Sequence, residues 1–463
     1  MPRRNIGRAT NRERNTSKLD GGRIDLDSEG ISAITRGDSP ILSNHNNNSR
    51  HSQSRKLENI LVIQGGGSLG AFGCGAYKAL AKSGIEINIV SGTSMGAINA
   101  AIIAGSKTDS PENDLEDFWM ELAESNYTMI PDIFLFNFDK EASRFLPYRL
   151  SSAGLNAALF GVPKMFVPRW QRLLIGPEFK EIGSGGDSGR GTSIYDNILP
   201  KSWTYLYDHS PLKKTLDKYI DFAKLDASSN NAQKNSTPER KTRLIITAVN
   251  VLSAEPIVLD SAKMAIQGKH LLASTAYPLY GFPWVEIDDE IYAWDGSLLD
   301  NTPLRQVIQE SPRNDKNIYI VENYPRHIGC LPSNMMEVLD RTRDIIFSDK
   351  TKSSLRMSKF ITRQIKLIEE LYDVFETADH SKFRRGKIEH IKEEYGKLVN
   401  NYGAQILSVN RIIREETKAP HILKNADFTP REIKRLISQG EQKTLDCLQR
   451  IDTKEKNRPK NRK

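Results

Sequence analysis

The sequence predicts an α/β fold with a mainly parallel central sheet flanked by helices, and three stretches carry that prediction. Asn59-Ile60-Leu61-Val62-Ile63-Gln64 is a continuous apolar run, which suits a strand buried on both faces of a parallel sheet. After a short glycine-rich loop, Ala71 to Lys82 reads as a helix with Ala76, Ala79 and Leu80 on its buried side. A second, largely β-branched run, Ile87 to Val90, breaks at a glycine-flanked serine and resumes as an Ala-rich helix former. Strand, loop, helix, strand, sharp turn and helix is how a parallel sheet with helical crossovers begins.

The rest of the chain sets the bounds. With 463 residues, a formal charge of +8 and 38 % hydrophobic content, it is long enough for one large or two ordinary domains but apolar-poor, and polar tails account for the deficit. Residues 1–56 are rich in Arg, Asn, Ser and Asp, include Asn46-Asn47-Asn48 and lack apolar periodicity, so a disordered tail is expected. No signal-peptide pattern and no run of about 18 apolar residues occurs, which predicts a cytoplasmic protein whose membrane contact, if any, is peripheral. Cys74, Cys330 and Cys447 are far apart, without the spacing of a zinc site, and read as reduced thiols. The basic tail 450–463 lacks interleaved aromatics, so it reads as solvated rather than as a nucleic-acid contact.

Between these ends the elements follow in order. Glu112 to Glu124 reads as a helix carrying Leu115, Phe118, Trp119 and Leu122 at helical spacing. An insertion, 130–175, is crowded with large apolar residues in no sustained period. Within it Leu155 to Trp170, flanked by Lys164, Arg169 and Arg172, fits either core packing or a lid that meets lipid. Gly183 to Gly191 and Ala227 to Lys241 are polar loops. Leu244 to Val249 is a strand with Pro256 to Leu259 as its hairpin partner, His270 to Pro278 a short helix, Val285 to Tyr292 two small strands about a turn, and Asn317 to Glu322 the last strand. Residues 327–449 read as a helical extension, with stripes marked by Leu355, Ile361, Ile365, Ile368, Leu371 and Phe375, and by Ile388, Ile391, Tyr395 and Leu398. Thr429-Pro430-Arg431-Glu432 has the cap threonine, first-turn proline and capping-box glutamate of a helix start.

The chemistry concentrates at two glycine-rich turns. Ser94, in Gly92-Thr93-Ser94-Met95-Gly96, stands between a strand and a helix, where a strained turn presents a nucleophile and leaves no room for a Cβ at Gly92 or Gly96. Gly65-Gly66-Gly67, after the first strand, also fits a dinucleotide fingerprint with Gly70. That reading wants an acidic residue at the end of the next strand, where this chain has Ser91-Gly92. A Walker loop is excluded because no Gly-Lys-Ser/Thr follows. Consecutive glycines beside an exposed serine instead suit an oxyanion hole, since several backbone N–H groups can converge on one oxygen. The base is open on these grounds: His327 would complete a distal triad but lies in a loop without another catalytic mark, and Asp288 and Asp300 lie in polar turns. Asp295 follows the apolar Tyr292-Ala293-Trp294, which would shield a carboxylate from water, and Gly296 lets the chain turn behind it.

Taken together, Gln64 to Phe72, Gly92 to Ala100, and Asp295-Gly296-Ser297 with Asn301 and Pro303 resemble the patatin-like phospholipase family, over roughly Leu57 to Pro325. The resemblance implies a three-layer α/β/α catalytic domain over 57–326, Ser94 as nucleophile and Asp295 as its base without a histidine. It implies backbone N–H groups of Gly65, Gly66 and Gly67 as the oxyanion hole, with Gly70, Gly92, Gly96 and Gly296 supporting the motifs. It further implies no metal and no organic cofactor, an acyl lipid substrate at a membrane or lipid-aggregate surface, and no nucleic-acid partner. Leu69 stands where many members carry Arg or Lys, as in a bacterial-type branch with an apolar residue there, and Ser297 stands where Gly or Ala is usual. The implied reaction is hydrolysis of carboxylic esters of phospholipids or related acyl lipids through an acyl-enzyme. A storage-polyester depolymerase, a thioesterase and a non-catalytic lipid-binding scaffold are the alternatives on the same fold.

Overall fold

The structure, a computed structural model, describes residues 56–126, 152–170, 203–226, 242–348, 350–382, 384–402, 404–416 and 423–456. The expected tail 1–56 except Lys56, both polar loops, all of the insertion but 152–170, and the end of the basic tail lie outside the described residues.

The first apolar run forms strand β1 (Leu57–Ile63), and the glycine loop closes into a single 3-10 turn over Gly67–Gly70 that leads directly into helix α1 (Ala71–Lys82). Strand β2 (Ile89–Gly92) reaches two residues beyond the β-branched run into the turn, and helix α2 (Met95–Gly105) starts three residues later. Helix α2 is apolar but for Asn99 and buried throughout, as a helix must be when it is covered on every side. Helix α3 (Pro111–Glu124) starts with proline in its first turn and Glu112 and Asp114 near its positive end. It buries Phe118 and Trp119.

Helix α4 (Ser152–Phe160), the short pair β3 (Val167–Pro168) and β4 (Tyr207–Asp208), and helix α5 (Ser210–Tyr219) precede the second half of the sheet. That half consists of β5 (Arg243–Asn250), β6 (Pro256–Asp260), helix α6 (Gly268–Thr275), β7 (Val285–Asp288), β8 (Ile291–Asp295), helix α7 (Leu304–Glu310) and β9 (Asp315–Glu322). Helices α8 (Met335–Phe347), α9 (Thr351–Thr377) and α10 (Arg385–Tyr402), strand β10 (Ile406–Ile413) and helix α11 (Pro430–Lys456) complete the order.

Apart from the β3–β4 pair, the described strands form one sheet in the order β10-β9-β1-β2-β5-β8-β7, with β6 also on β5. Pairing is parallel from β10 through to β5 and antiparallel among β5, β6, β8 and β7. Apolar clusters cover both faces, one holding Phe72, Met95 and Trp119, the other holding Ile60, Ile89, Leu304 and Ile318. Such two-sided burial is what the unbroken apolar runs of β1 and β9 require.

Strand β10 corrects the expectation that strands stop at Glu322. It pairs with β9 along the sheet edge, and its polar Ser408, Asn410 and Arg411 are acceptable because an edge strand is only half buried. Its sequence therefore lacks the continuous apolar signal of the central strands. The final helix is also less separate than its position suggests, for α11 lies on α1 with backbones in contact. A Cβ on Gly75 would stand 1.8 Å from the Ile437 carbonyl oxygen, and one on Gly440 would stand 2.1 Å from that of Phe72. Its start is as read, with the Glu432 N–H reaching Thr429 Oγ1 at 3.4 Å.

One strand edge brings the site together. Strand β6 pairs with residues 245–249 of β5, β2 with 243–246 and β8 with 248–250. Because β6 overlaps both of the others and a strand has only two edges, β2 and β8 share the second edge, end to end. The C-terminal end of β2, just before Ser94, thus meets the C-terminal end of β8, which is Asp295.

Candidate active site

Ser94 sits at the entry of α2 with φ 55° and ψ −132°. A side chain in that region costs about 1–3 kcal/mol, and the packing around the turn must impose it. It does so through close approach: a Cβ on Gly92 would lie 2.2 Å from the Gly96 carbonyl oxygen, and one on Gly96 would lie 2.3 Å from that of Ile63. The Ser94 N–H donates to the Ser274 carbonyl at 3.0 Å, and its own carbonyl accepts from the Ala97 N–H at 2.8 Å. Ser94 is thereby fixed at the positive end of α2, whose dipole favours a developing negative charge.

Asp295 is fully buried. Its Oδ1 accepts from both the Ser297 N–H at 2.8 Å and the Ser297 hydroxyl at 2.7 Å, whereas Oδ2 is buried with no hydrogen bond among the described residues. Burial pushes the carboxyl pKa up to about 6 against the smaller opposing pull of Ser297. The Ser94 hydroxyl is the last of the groups that favour the charged form, from a contact too loose for a full hydrogen bond. Neither Asp288, which is exposed, nor Asp300, which is half-buried, lines the cavity at Ser94, and His327 is an exposed loop residue.

The glycine loop differs from expectation at one position. The Gly65 N–H donates to Asn301 Oδ1 at 3.1 Å, so of the three anticipated donors only Gly66 and Gly67 have N–H groups without a partner among the described residues. Asn323 Nδ2 donates to the carbonyls of Gln64 at 3.0 Å and Gly65 at 3.2 Å, and Gln64 in turn bonds Thr302 and the Asn323 N–H. In a trans peptide the C=O and N–H point opposite ways, so holding the Gly65 carbonyl toward Asn323 turns the Gly66 N–H away from it. On the other side, Asn99 Nδ2 holds the Gly70 carbonyl at 2.8 Å while Asn99 Oδ1 accepts from Trp119 Nε1 at 2.9 Å. Leu69 is buried in the main core, and this apolar position has packing to explain it.

Ser94, Asp295, Gly65, Gly66 and Gly67 open on one cavity of about 360 Å³, walled by Met165, Phe166, Tyr207, Phe282, Tyr324 and Phe347. Phe166 is buried and meets Tyr207 and Phe282 edge to face, with ring centres 5.2 and 5.4 Å apart. This part of the insertion is therefore cavity wall rather than an exposed anchor. The basic residues beside it are engaged: Lys164 pairs with Glu121, and the Arg169 guanidinium lies 4.2 Å from the ring centres of both Trp203 and Tyr205. Arg172 lies outside the described residues. Sequence reasoning missed the Ser297 hydroxyl, Ser274, the Asn301–Asn323 clamp and the far wall from Tyr324, Phe347 and Leu423 to Phe428. Asn301 and Ser297 had a signal in their places just after and within the aspartate motif, and Ser274 in the short helix read over His270 to Pro278.

No helix among the described residues is long and apolar enough to cross a membrane. Comparison with curated proteins gives no significant match. Among solved structures the chain is similar to VipD from Legionella pneumophila, with 16 % identity and a TM-score of 0.34, covering 85 % of this chain and 66 % of that one. It is also similar to a structure of full-length ExoU with full-length SpcU, from the type III secretion system of Pseudomonas aeruginosa. There the identity is 16 %, the TM-score 0.26 and the coverage 63 % of this chain and 48 % of the other. The chain thus spans between about half and two thirds of the length of these proteins. The family model described as patatin-like phospholipase matches residues 61–308, more than half of the chain and a span that includes the glycine loop, the Ser94 turn and Asp295-Gly296, and the chain belongs to that family.

Proposed function

We propose that this chain hydrolyses carboxylic esters of phospholipids or related acyl lipids with Ser94 and Asp295 as a two-residue catalytic unit, within a catalytic region at 57–326. The observation that carries the reading is the unpartnered, buried Oδ2 of Asp295, delivered by the shared edge of β5 to the serine turn. An acyl chain occupies the apolar cavity with its carbonyl at the glycine loop. As Ser94 Oγ attacks the carbonyl carbon, its proton passes to Asp295 Oδ2, and the oxygen that gains charge is met by the N–H groups of Gly66 and Gly67. The alcohol departs with that proton, leaving an ester on Ser94. A water then gives its proton to Asp295 and its oxygen to the acyl carbon, which frees the acid and restores Ser94. The apolar residue at position 69 fits the bacterial-type branch.

A fluorophosphonate probe tests the nucleophile directly: it should label the native chain at Ser94, seen by peptide mass, and leave Ser94→Ala unlabelled. Fatty acid released from phospholipid vesicles tests the substrate, and an enzyme that cleaves only thioesters or polyesters would be labelled yet release none.

The base must be ionised to act, and its pKa is raised to about 6. The expected kcat/KM is therefore flat above that pH and falls about tenfold per unit below it. A profile flat to pH 4.5 would remove Asp295 as the base. Gly66→Ala should keep the fold, because φ at Gly66 is 165° and the added Cβ would meet Asn323 Nδ2 at 3.1 Å and Leu69 Cβ at 3.3 Å, a tight but adjustable fit. Turnover should drop on the order of a hundredfold, the cost of disturbing one oxyanion donor. Unchanged kcat would remove the glycine loop from the mechanism.

A further inference from the structure

Helix α9 carries two apolar stripes. The inner one includes Leu355 and Ile365, both buried, and runs on to Tyr372, whose ring stacks on Tyr395 of α10 at 3.7 Å. The outer one is Met357, Phe360, Gln364, Leu367, Leu371 and Val374, spaced alternately three and four residues apart. That is the seam of a two-stranded coiled coil, with one polar residue at a core position. At about 100° per residue the stripes lie roughly 150° apart, so the seam faces away from the body. Its five apolar residues are between 51 % and 67 % exposed.

Charge along the helix names the occupant. Thr351 to Lys366 holds five Lys or Arg and no acid, whereas Leu367 to Thr377 holds four Asp or Glu and no base. Two copies of α9 side by side in parallel would place base on base and acid on acid. Antiparallel, each basic half meets the partner's acidic half. The same arrangement aligns the seam: Met357 faces the partner's Val374, Phe360 the partner's Leu371, and Gln364 the partner's Leu367. Arg363 then lies beside the partner's Glu370 on one flank, and Ile361 beside the partner's Ile368 on the other. A helix that lies on anionic lipid would carry its bases along the whole polar face, and the acidic half of α9 opposes that use.

We infer that α9 is a dimerisation helix, pairing antiparallel with α9 of a second copy of this chain through the Met357 to Val374 seam. Sedimentation velocity on the full chain over a concentration series should show a monomer–dimer equilibrium. Leu367→Glu with Leu371→Glu should raise the dissociation constant at least about a hundredfold while fluorophosphonate labelling stays native. Arg363→Glu should weaken the dimer and the addition of Glu370→Arg should restore it. With Cys330→Ser as background, a mixture of the Met357→Cys and Val374→Cys chains should form disulfide-linked dimers, and neither chain alone should. A chain that stays monomeric at every concentration overturns the inference, as does Met357→Cys alone cross-linking as readily as the mixture. A monomer that floats with anionic vesicles only when the seam is intact overturns it too, and assigns the stripe to lipid.

Discussion

Ser94→Ala and Asp295→Asn are each expected to lose on the order of 10⁴-fold or more in turnover, and the double variant to be no worse than either, because groups that act as one unit do not add. His327→Ala should keep native activity, since its exposed loop does not line the cavity. A His327 effect as large as that of Ser94 would replace the dyad with a distal triad. The two dyad variants should differ in stability, and the sign follows from the carboxyl. Its folded pKa of about 6 exceeds the ordinary 3.8, so the folded state holds the proton more tightly than the unfolded chain. Its stabilising contribution is present below pH 3.8 and lost as the pH rises through 6. At pH 7 the native fold therefore carries a buried charge costing roughly 3 kcal/mol. Asp295→Asn keeps an acceptor for Ser297 without that charge. Its Tm at pH 7 should exceed the native value by several degrees, with the gap closing toward pH 4. An inactive but destabilised Asp295→Asn, with native activity in Ser94→Ala, would assign the aspartate to the fold alone.

What the sequence disclosed, and what it did not, follows from where each signal resides. Burial on both faces leaves an uninterrupted apolar run, so β1 and β9 were legible, and a strained turn leaves glycines, so the place of Ser94 was legible. A half-buried edge needs no such run, and β10, with its Ser408, Asn410 and Arg411, passed as part of a helical region. The glycine loop illustrates a second limit. Composition says that three N–H groups are sterically accessible, but which of them is occupied depends on Asn301, which lies 236 residues away. Likewise Ser297 looked like a tolerated small residue, and only its position beside Asp295 Oδ1 reveals a hydroxyl that shares the carboxylate. Pattern alone left Leu155 to Trp170 open between core packing and a lid that meets lipid, because aromatic packing between distant segments, Phe166 with Tyr207 and Phe282, leaves no period.

The largest stability effect is expected from Lys424→Met, and it should reach the active site. Asp340, Asp344 and Glu416 bring carboxylate oxygens within 4.8 Å of one another, as a cation site would, and the Lys424 ammonium fills the centre. It donates to Asp340 Oδ2 at 3.1 Å, to Asp344 Oδ2 at 2.9 Å and to Glu416. Lys424, Asp340 and Asp344 are buried, and burial already holds the Asp344 carboxyl above the ordinary range. Without the ammonium Asp340 keeps Arg343 and Glu416 keeps Arg414, but Asp344 loses its ion-pair partner in a poorly solvated place, and breaking a buried pair costs about 3–5 kcal/mol. The same turn touches the glycine loop, for the Lys424 carbonyl accepts from Ser68 Oγ at 3.2 Å and a Cβ on Gly67 would stand 2.2 Å from the Asn425 carbonyl oxygen. The turn therefore backs the loop that carries the Gly66 and Gly67 N–H groups. Lys424→Met should lower Tm steeply at pH 7, and the deficit relative to the native chain should shrink as falling pH protonates the Asp344 carboxyl, which burial already holds above the ordinary range. At a temperature where the variant is still folded, kcat should fall more than KM rises, because misplaced donors weaken the transition state rather than acyl-chain binding. A variant with native Tm would mean that the acids repel one another little without the ammonium. One that loses stability while its folded fraction turns over normally would show that the turn holds the fold but does not position the loop.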